Sequence, residues 1–341
     1  MSVDELDTNS LGPWLEANVD GFKQLVSAEK FAGGQSNPTF LLHAESGKYV
    51  LRRKPPGVLL KSAHAVDREF RVISALRNSE VPVAGAYALC EDDAVVGSMF
   101  YIMEYIDGRV FWDPSLPELD KPARTAVYDE MNRALAALHS VDVEAAGLGD
   151  YGKPGNYFER QVGRWTKQYL AAETDTIVAM NELIDWLPKH MPAEDGEASL
   201  VHGDYRLDNM IFAHDEPRIL AIVDWELSTL GHPLADLAYQ CMQWRLPSVG
   251  LFKGLVGVDR DALGIPSEQA YVDTYCARVN RGGIDNWTFY LAFSFFRLAA
   301  IVQGIRKRAM DGNASSKSAM AYGKMAQPLA EAAMALVNAE P

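Results

Sequence analysis

Short strand-like runs stand near the N-terminus at Glu29 to Ala32, Thr39 to Ala44 and Tyr49 to Arg53, and Ser46-Gly47 supplies a turn between the last two. A helical segment, Leu11 to Phe22, precedes them, with Pro13 near its start, where proline is tolerated. From Ala63 to Asn78 the period lengthens, and Val66, Phe70, Ile73, Ala75 and Leu76 can share one face of a helix. Two further strands are predicted, Gly85 to Cys90 and Ser98 to Tyr105, the second running into Asp107-Gly108. Beyond it the pattern turns helical. Arg124 to Val141 places Val127, Met131, Leu135 and Leu138 at helical spacing, and Phe158 to Ala171 and Thr176 to His190 follow. Apolar runs around Leu200 and Ile222 interrupt the helices, which resume at Ser267 to Arg281, Trp287 to Met310 and Ser316 to Asn338. The chain therefore divides into a sheet-bearing part, 1–107, and a mainly helical part, 108–341, an α+β arrangement of two lobes.

A chain of 341 residues is long enough for two lobes. The net charge of −14 argues against general nucleic-acid binding. Residues 108–200 carry 9 basic and 16 acidic side chains, which suits either a solvated helical surface or attraction of a cationic substrate. Cys90, Cys241 and Cys276 are scattered and form neither a metal spacing nor a disulfide framework, so core thiols in a reducing compartment are expected. The acidic, polar N-terminus does not look like a signal peptide, and a cytoplasmic location is expected. The most apolar segment, Trp287 to Ile305, is interrupted by Arg297 and reads as a buried helix rather than a membrane span.

The chemistry concentrates in Leu200-Val-His-Gly-Asp-Tyr-Arg-Leu-Asp-Asn209 and Ile222-Val-Asp-Trp-Glu226. A carboxylate, an amide five residues on, and a second carboxylate after the next apolar run suit phosphoryl transfer from a metal-bound nucleotide. Asp204 is the candidate that accepts or orients the proton of an attacking hydroxyl. Asn209 and Asp224 offer hard oxygen atoms to Mg2+, and Glu226 can join through a water. His202 is read as an anchor of the loop rather than a base, Asp208 as structural, and Arg206 as compensating local charge or meeting a phosphate. Upstream, Gly33-Gly34-Gln35-Ser36-Asn37-Pro38 lets backbone N–H groups approach phosphates, which makes Gly34 and Ser36 candidate nucleotide contacts. On the third strand Arg52 and Lys54 share one face and Arg53 takes the other, so either Arg52 or Lys54 can hold phosphates or simply decorate an edge strand. Glu69 lies within the following helix, where it could pair with that cation or form a solvent-facing salt bridge. Asp236 sits near the start of a helix whose N-terminal amides it can stabilise.

The stretches "GGQSNPT", "YVLRRKP", "HGDYRLDN" and "VDWE" resemble the aminoglycoside phosphotransferase and choline kinase families, and most of all the kinase domains associated with acyl-CoA dehydrogenases. The resemblance covers nearly the whole chain. It implies a protein-kinase-like fold with a small antiparallel-sheet N-lobe and a helical C-lobe. It implies ATP and Mg2+ as cofactors, Arg52 as the phosphate-binding cation, and Glu69 as its helix partner. The backbone of Glu104 and Ile106 would meet the adenine edge, Met103 would pack behind the base, and Asp236 would support the catalytic loop from below. The acceptor would be a small-molecule hydroxyl, with a hydroxyacyl-CoA as the preferred expectation. A functional association with an acyl-CoA dehydrogenase goes with that expectation, and neither nucleic acid nor membrane is expected as a partner. The basic cluster Arg306-Lys307-Arg308, with Arg297 upstream, could meet coenzyme A phosphates or merely decorate a helix end. Kinases of a cationic amino alcohol or an aminoglycoside, and a non-catalytic nucleotide-binding module, remain the alternatives. A protein kinase is disfavoured by the short gap after Asp224 and by the absence of an "APE"-like segment.

Overall fold

The computed structural model describes residues 6–31, 37–55, 65–153, 155–248, 253–312 and 319–339. Helix α1 (Thr8–Asn18) leads into strands β1 (Leu25–Lys30), β2 (Thr39–Ala44) and β3 (Gly47–Arg53), then helix α2 (Val66–Leu76). Strand β4 (Ala86–Cys90), the one-turn helix α3 (Asp93–Val96) and strand β5 (Phe100–Glu104) complete an antiparallel sheet of order β1-β2-β3-β5-β4. Alternation decides what each face of that sheet holds. Phe40, Leu42, Leu51, Phe100 and Ile102 turn towards Leu11 and Leu15 of α1 and form one core. Arg53 is fully buried on that side, where its guanidinium donates to the Val96 carbonyl at 3.0 Å and lies over the Phe40 ring. Arg52 therefore faces the opposite side, as the alternation predicts.

Helix α2 crosses that opposite side. Its buried stripe is Val66, Glu69, Val72, Ile73 and Leu76, whereas Phe70 and Ala75, expected on the apolar face, are half-buried. The stripe is rotated because the Glu69 carboxylate finds partners in the interior and so occupies a position that a hydrophobe would otherwise take.

The chain leaves β5 and crosses to the helical part at Asp107-Gly108-Arg109, where Arg109 bridges Phe212. A Cβ on Gly108 would lie 2.5 Å from the Phe212 carbonyl oxygen, so only glycine fits that approach. Helices α4 (Lys121–His139), α5 (Tyr157–Ala172) and α6 (Val178–Lys189) follow. Four short strands come next, β6 (Ser199–Val201), β7 (Met210–Phe212), β8 (Ile219–Ile222) and β9 (Thr229–Gly231), paired β6 with β9 and β7 with β8. The remaining helices are α7 (Leu234–Cys241), α8 (Arg260–Leu263), α9 (Glu268–Arg278), α10 (Trp287–Met310), α11 (Ala319–Gly323) and α12 (Ala326–Ala339).

Helix α10 is long and apolar enough to cross a membrane by length and composition, but 78% of its most apolar window is buried inside the protein. It is the central post of the helical part, packed by α5, α7, α11 and α12. The single closing helix expected from Ser316 to Asn338 is two helices. Pro328 cannot sit in a helix interior and instead occupies the first turn of α12, so a new helix begins at Ala326. All three cysteines are buried, free thiols. The molecule is thus a bilobal α+β protein.

Candidate active site

The two loops singled out by sequence fold against each other below the N-terminal sheet. The segment after β6 carries His202 to Arg206 and closes in a 3-10 turn at Leu207–Asn209; the segment after β8 carries Asp224 and closes in a second 3-10 turn at Trp225–Leu227. A backbone bond from Val223 N to Asn209 O, 2.9 Å, ties them together. Gly203 permits the approach: its φ is +82°, and a Cβ there would stand 2.6 Å from the Leu227 carbonyl oxygen.

Asn209 donates through Nδ2 to the Asp204 carbonyl and to Asp204 Oδ2, both at 2.9 Å. Both partners are acceptors, so the amide nitrogen must face them and Oδ1 must face away. Asp224 adopts φ +68°, a left-handed conformation rare for a non-glycine residue and one that tends to accompany functional sites. The Asn209 amide oxygen and the half-exposed Asp224 carboxylate are hard donors suited to Mg2+, and the tie between their loops keeps them adjacent.

Arg52 links the two lobes. Its Nε lies 2.8 Å from Glu69 Oε2, and its terminal nitrogen lies 2.5 Å from Asp224 Oδ1 and 4.0 Å from Glu226 Oε2. Glu69 is 1% exposed and also accepts from Asn37 Nδ2 at 2.8 Å and from the Tyr101 hydroxyl at 3.3 Å. Burial pushes the Glu69 carboxyl up, and Arg52 pulls against that rise. Burial opposes the charge on Arg52, yet Glu69 and Asp224 hold its guanidinium more firmly protonated than usual. Of the two candidates on this strand, Arg52 is the one that meets Glu69 and Asp224; β3 ends at Arg53, and the Lys54 backbone continues beyond it by donating to the Met99 carbonyl and accepting from Ser98 Oγ.

The base of the catalytic loop rests on Asp236. This fully buried carboxylate accepts from His202 N at 2.6 Å, from Gly203 N at 2.8 Å, and from His139 Nε2 at 3.4 Å. Burial pushes Asp236 up, but His139, His202 and the Gly203 N–H outweigh it and hold the carboxyl below its usual range. His202 Nδ1 accepts from Asp204 N at 3.2 Å, and Nε2 stands 3.0 Å from the Val223 carbonyl, which can only accept. Both ring nitrogens are therefore spent on backbone groups, and the ring has no lone pair for a substrate proton.

Asp204 feels burial as an upward push, but the Arg206 guanidinium, the Tyr239 hydroxyl and Arg297 bring its carboxyl below the ordinary range. Arg206 reaches Asp204 Oδ2 at 3.4 Å and Asp208 Oδ2 at 3.1 Å. Asp208 is raised by burial despite that partner. A carboxylate held ionised with one edge on an amide can orient a hydroxyl.

The structure thus gathers Arg52, Glu69, Asp204, Arg206, Asn209, Asp224, Glu226, His202 and Asp236 into one cleft. Met103, Glu104 and Ile106 lie at the far end of β5. Glu104 binds Gly85 through both its N–H and its carboxylate, and among the described residues the Ile106 N–H has no protein acceptor. Gly34 and Ser36 lie outside the described residues. Sequence reasoning missed Asn37 as a ligand of Glu69 although it had quoted the motif that contains it. It also missed Tyr101, Tyr239 and His139, whose signals were polar groups on otherwise apolar faces. The basic cluster of α10 is largely satisfied within the protein: Arg306 pairs with Asp175 at 2.5 Å and Lys307 with Asp311 at 2.6 Å. Arg297 does not join it; it is buried and points into the catalytic loop, donating to the Gly203 carbonyl.

A profile of the phosphotransferase enzyme family matches residues 27–260. The chain belongs to that family. Mouse acyl-CoA dehydrogenase family member 10 is 50% identical over 305 residues, covering 89% of this chain and 28% of that protein. Human acyl-CoA dehydrogenase family member 11 is 40% identical over 338 residues, covering 97% of this chain and 43% of that protein. The chain therefore spans less than half the length of these curated relatives. A crystal structure from Ralstonia eutropha, provisionally assigned as an aminoglycoside phosphotransferase, superposes with TM-score 0.89 at 53% identity over 98% of this chain and 99% of that one. The aminoglycoside phosphotransferase APH(4)-Ia, in ternary complex with ADP and hygromycin B, superposes with TM-score 0.63 at 16% identity, covering 97% of this chain and 99% of that chain. That likeness extends the kinase-like fold of this phosphotransferase to a remote relative.

Proposed function

We propose that this phosphotransferase moves the γ-phosphoryl group of Mg2+-bound ATP to a hydroxyl of a small molecule. The observation that carries the reading is Arg52, held between Glu69 on α2 and Asp224 beyond β8. A cation so placed can exchange Asp224 for the α- and β-phosphates while Glu69 keeps its direction. Asn209 Oδ1 and Asp224 would hold Mg2+, which supplies charge neutralisation on the phosphate oxygens. Asp204 orients the acceptor hydroxyl and takes its proton as the new O–P bond forms and the bond to ADP breaks. The loose character of that transition state asks little of the base, so a carboxylate held below its ordinary pKa is adequate. The backbone of Glu104 and Ile106 is the proposed edge for the purine, and the Ile106 N–H, which has no acceptor among the described residues, supports it.

For the acceptor, the reading is a hydroxylated acyl-CoA, with an acyl-CoA dehydrogenase as a functional partner in the cytoplasm. Its support is the kinship with proteins named acyl-CoA dehydrogenase family members; on α10, Arg306 and Lys307 are already paired with Asp175 and Asp311, so that helix adds little to the case. Nucleotide consumption measured against hydroxyacyl-CoAs, amino alcohols and aminoglycosides tests the reading. The Asp204→Asn variant should bind ATP nearly as well as the wild type while turnover falls about a hundredfold. Wild-type turnover by that variant would remove Asp204 from the reaction.

A further inference from the structure

Two neighbours on α2 serve different parts of the molecule. Glu69 turns to Arg52, whereas Arg68 turns to the helical lobe. One terminal nitrogen of Arg68 bridges two backbone carbonyls there, donating to Tyr151 O at 2.7 Å and to Ser228 O at 3.3 Å. Its guanidinium lies 4.1 Å from the centre of the Tyr151 ring. Tyr151 is 1% exposed, and its hydroxyl stands 2.7 Å from Ser228 Oγ and 3.1 Å from the Arg68 carbonyl. Ser228 Oγ donates to the Trp225 carbonyl at 2.6 Å, which leaves its oxygen to accept from Tyr151. Tyr151 thus joins Arg68 of the helix to the turn that follows Asp224.

The loop that carries Tyr151, between α4 and α5, is itself held from two sides. Arg71, one turn along α2, donates to the Gly147 carbonyl at 2.7 Å and pairs with Asp150. On the other side a Cβ on Gly152 would lie 2.4 Å from Thr229 Oγ1 and 2.6 Å from Leu230 N, so the loop backbone sits directly against β9. Helix α2 also packs on the Trp225–Leu227 turn. Only the residues from Trp225 to Ser228 separate Asp224 from β9, so no long segment follows the metal ligand to set the position of α2. Charge-assisted bonds and a cation over a ring do that work here.

We propose that Arg68 and Tyr151 are positioning residues for phosphoryl transfer: they fasten α2 to the turn behind Asp224, and so keep Glu69 aiming Arg52 at the phosphates when nucleotide takes the place of Asp224. This rests on the phosphotransferase reading above. The pair of Arg52 with Asp224 opens when nucleotide binds, but the tie through Arg68, Tyr151 and Ser228 does not involve Arg52 and persists. Both residues act through Glu69 rather than by touching a ligand.

The test is calorimetric titration of the full chain, in Mg2+, with a non-hydrolysable ATP analogue. Arg68→Met keeps most of the side chain's length and removes its donors; it should weaken the analogue about fivefold. Tyr151→Phe removes a single hydroxyl and should weaken it about threefold. Arg68→Lys should recover part of the loss, because an ammonium still reaches a carbonyl. A double-mutant cycle with Glu69→Ala separates positioning from support of the fold. In that background the further loss on Arg68→Met should fall below about twofold, since no carboxylate is left to steer. The same cycle run on Tyr151→Phe serves if Arg68→Met does not fold. A loss undiminished in Glu69→Ala, or affinity indifferent to both Arg68→Met and Tyr151→Phe, overturns the positioning role. Failure of the wild type to bind the analogue strikes the phosphotransferase reading and this role with it.

Discussion

Arg52 leaves only 12% of its side chain exposed and still bonds two carboxylates from distant parts of the chain. Replacing it removes the shared partner of both. Arg52→Ala should therefore weaken nucleotide affinity by roughly 10- to 100-fold, the range expected when one or two charge-assisted bonds are lost. Glu69→Ala should cost less, because the cation remains and only its direction is freed. Lys54→Ala, measured in the same titration, should change affinity by less than about 0.5 kcal/mol, as surface substitutions usually do. A larger effect at Lys54 than at Arg52 would reverse the assignment. The choice between them was open in the sequence, since both fall on one face of a strand. Arg52 meets Glu69 because of where α2 crosses the sheet, which no local pattern records. Asn37 and Tyr101 escaped notice for the same reason: each matters only because α2 delivers Glu69 to it.

Elements position these residues by a few buried bonds rather than by propensity. The start of α7 brings Asp236 under the catalytic loop, and the end of α4 brings His139 to the same carboxylate. Asp236→Ala would leave two buried backbone donors without an acceptor, with an expected loss of about 3 kcal/mol in denaturant unfolding. The sign of the pH dependence follows from the depressed pKa of Asp236. Its contribution is fully present above the unfolded value of 3.8 and is lost as pH falls through the lower folded value. The gap between wild type and Asp236→Asn should accordingly be wide near pH 7 and narrow below about pH 4. A gap independent of pH would mean that charge is not what Asp236 contributes. The existence of α4, α5, α9 and α10 was legible because each repeats apolar residues at helical spacing, and the bounds of α10 were read as they stand. The division of the last helix was not read, because an alanine-rich run obscures Pro328 as a punctuation mark. The rotation of α2 was not read either, since a pattern of hydrophobes alone assigns a charged Glu69 to solvent.

Across the whole molecule, Arg52 and Asp224 are 172 residues apart in sequence and 2.5 Å apart in space, so this ion pair helps to clasp the cleft between sheet and helices. The division into a sheet-bearing and a helical part was visible from the change of period along the chain, and the motifs marked which loops would meet. Their mutual distance depends on the packing of both parts and could not be read from either. The clasp makes a prediction about metal and nucleotide together. A nucleotide that replaces Asp224 as the partner of Arg52 frees that carboxylate for Mg2+, so the two ligands should stabilise the protein jointly. At a hundred times its dissociation constant a ligand adds about 2.7 kcal/mol, which for a chain of this size corresponds to a rise in Tm of roughly 5 °C. That rise should require Mg2+ in the wild type. In Asp224→Ala the Mg2+ requirement should vanish and the rise should shrink, because the variant has lost a metal ligand while Arg52 still meets the phosphates. Thermal melts with ATP, with and without Mg2+, measure both quantities. An Mg2+-dependent rise of wild-type size in Asp224→Ala would show that the metal is held by other residues.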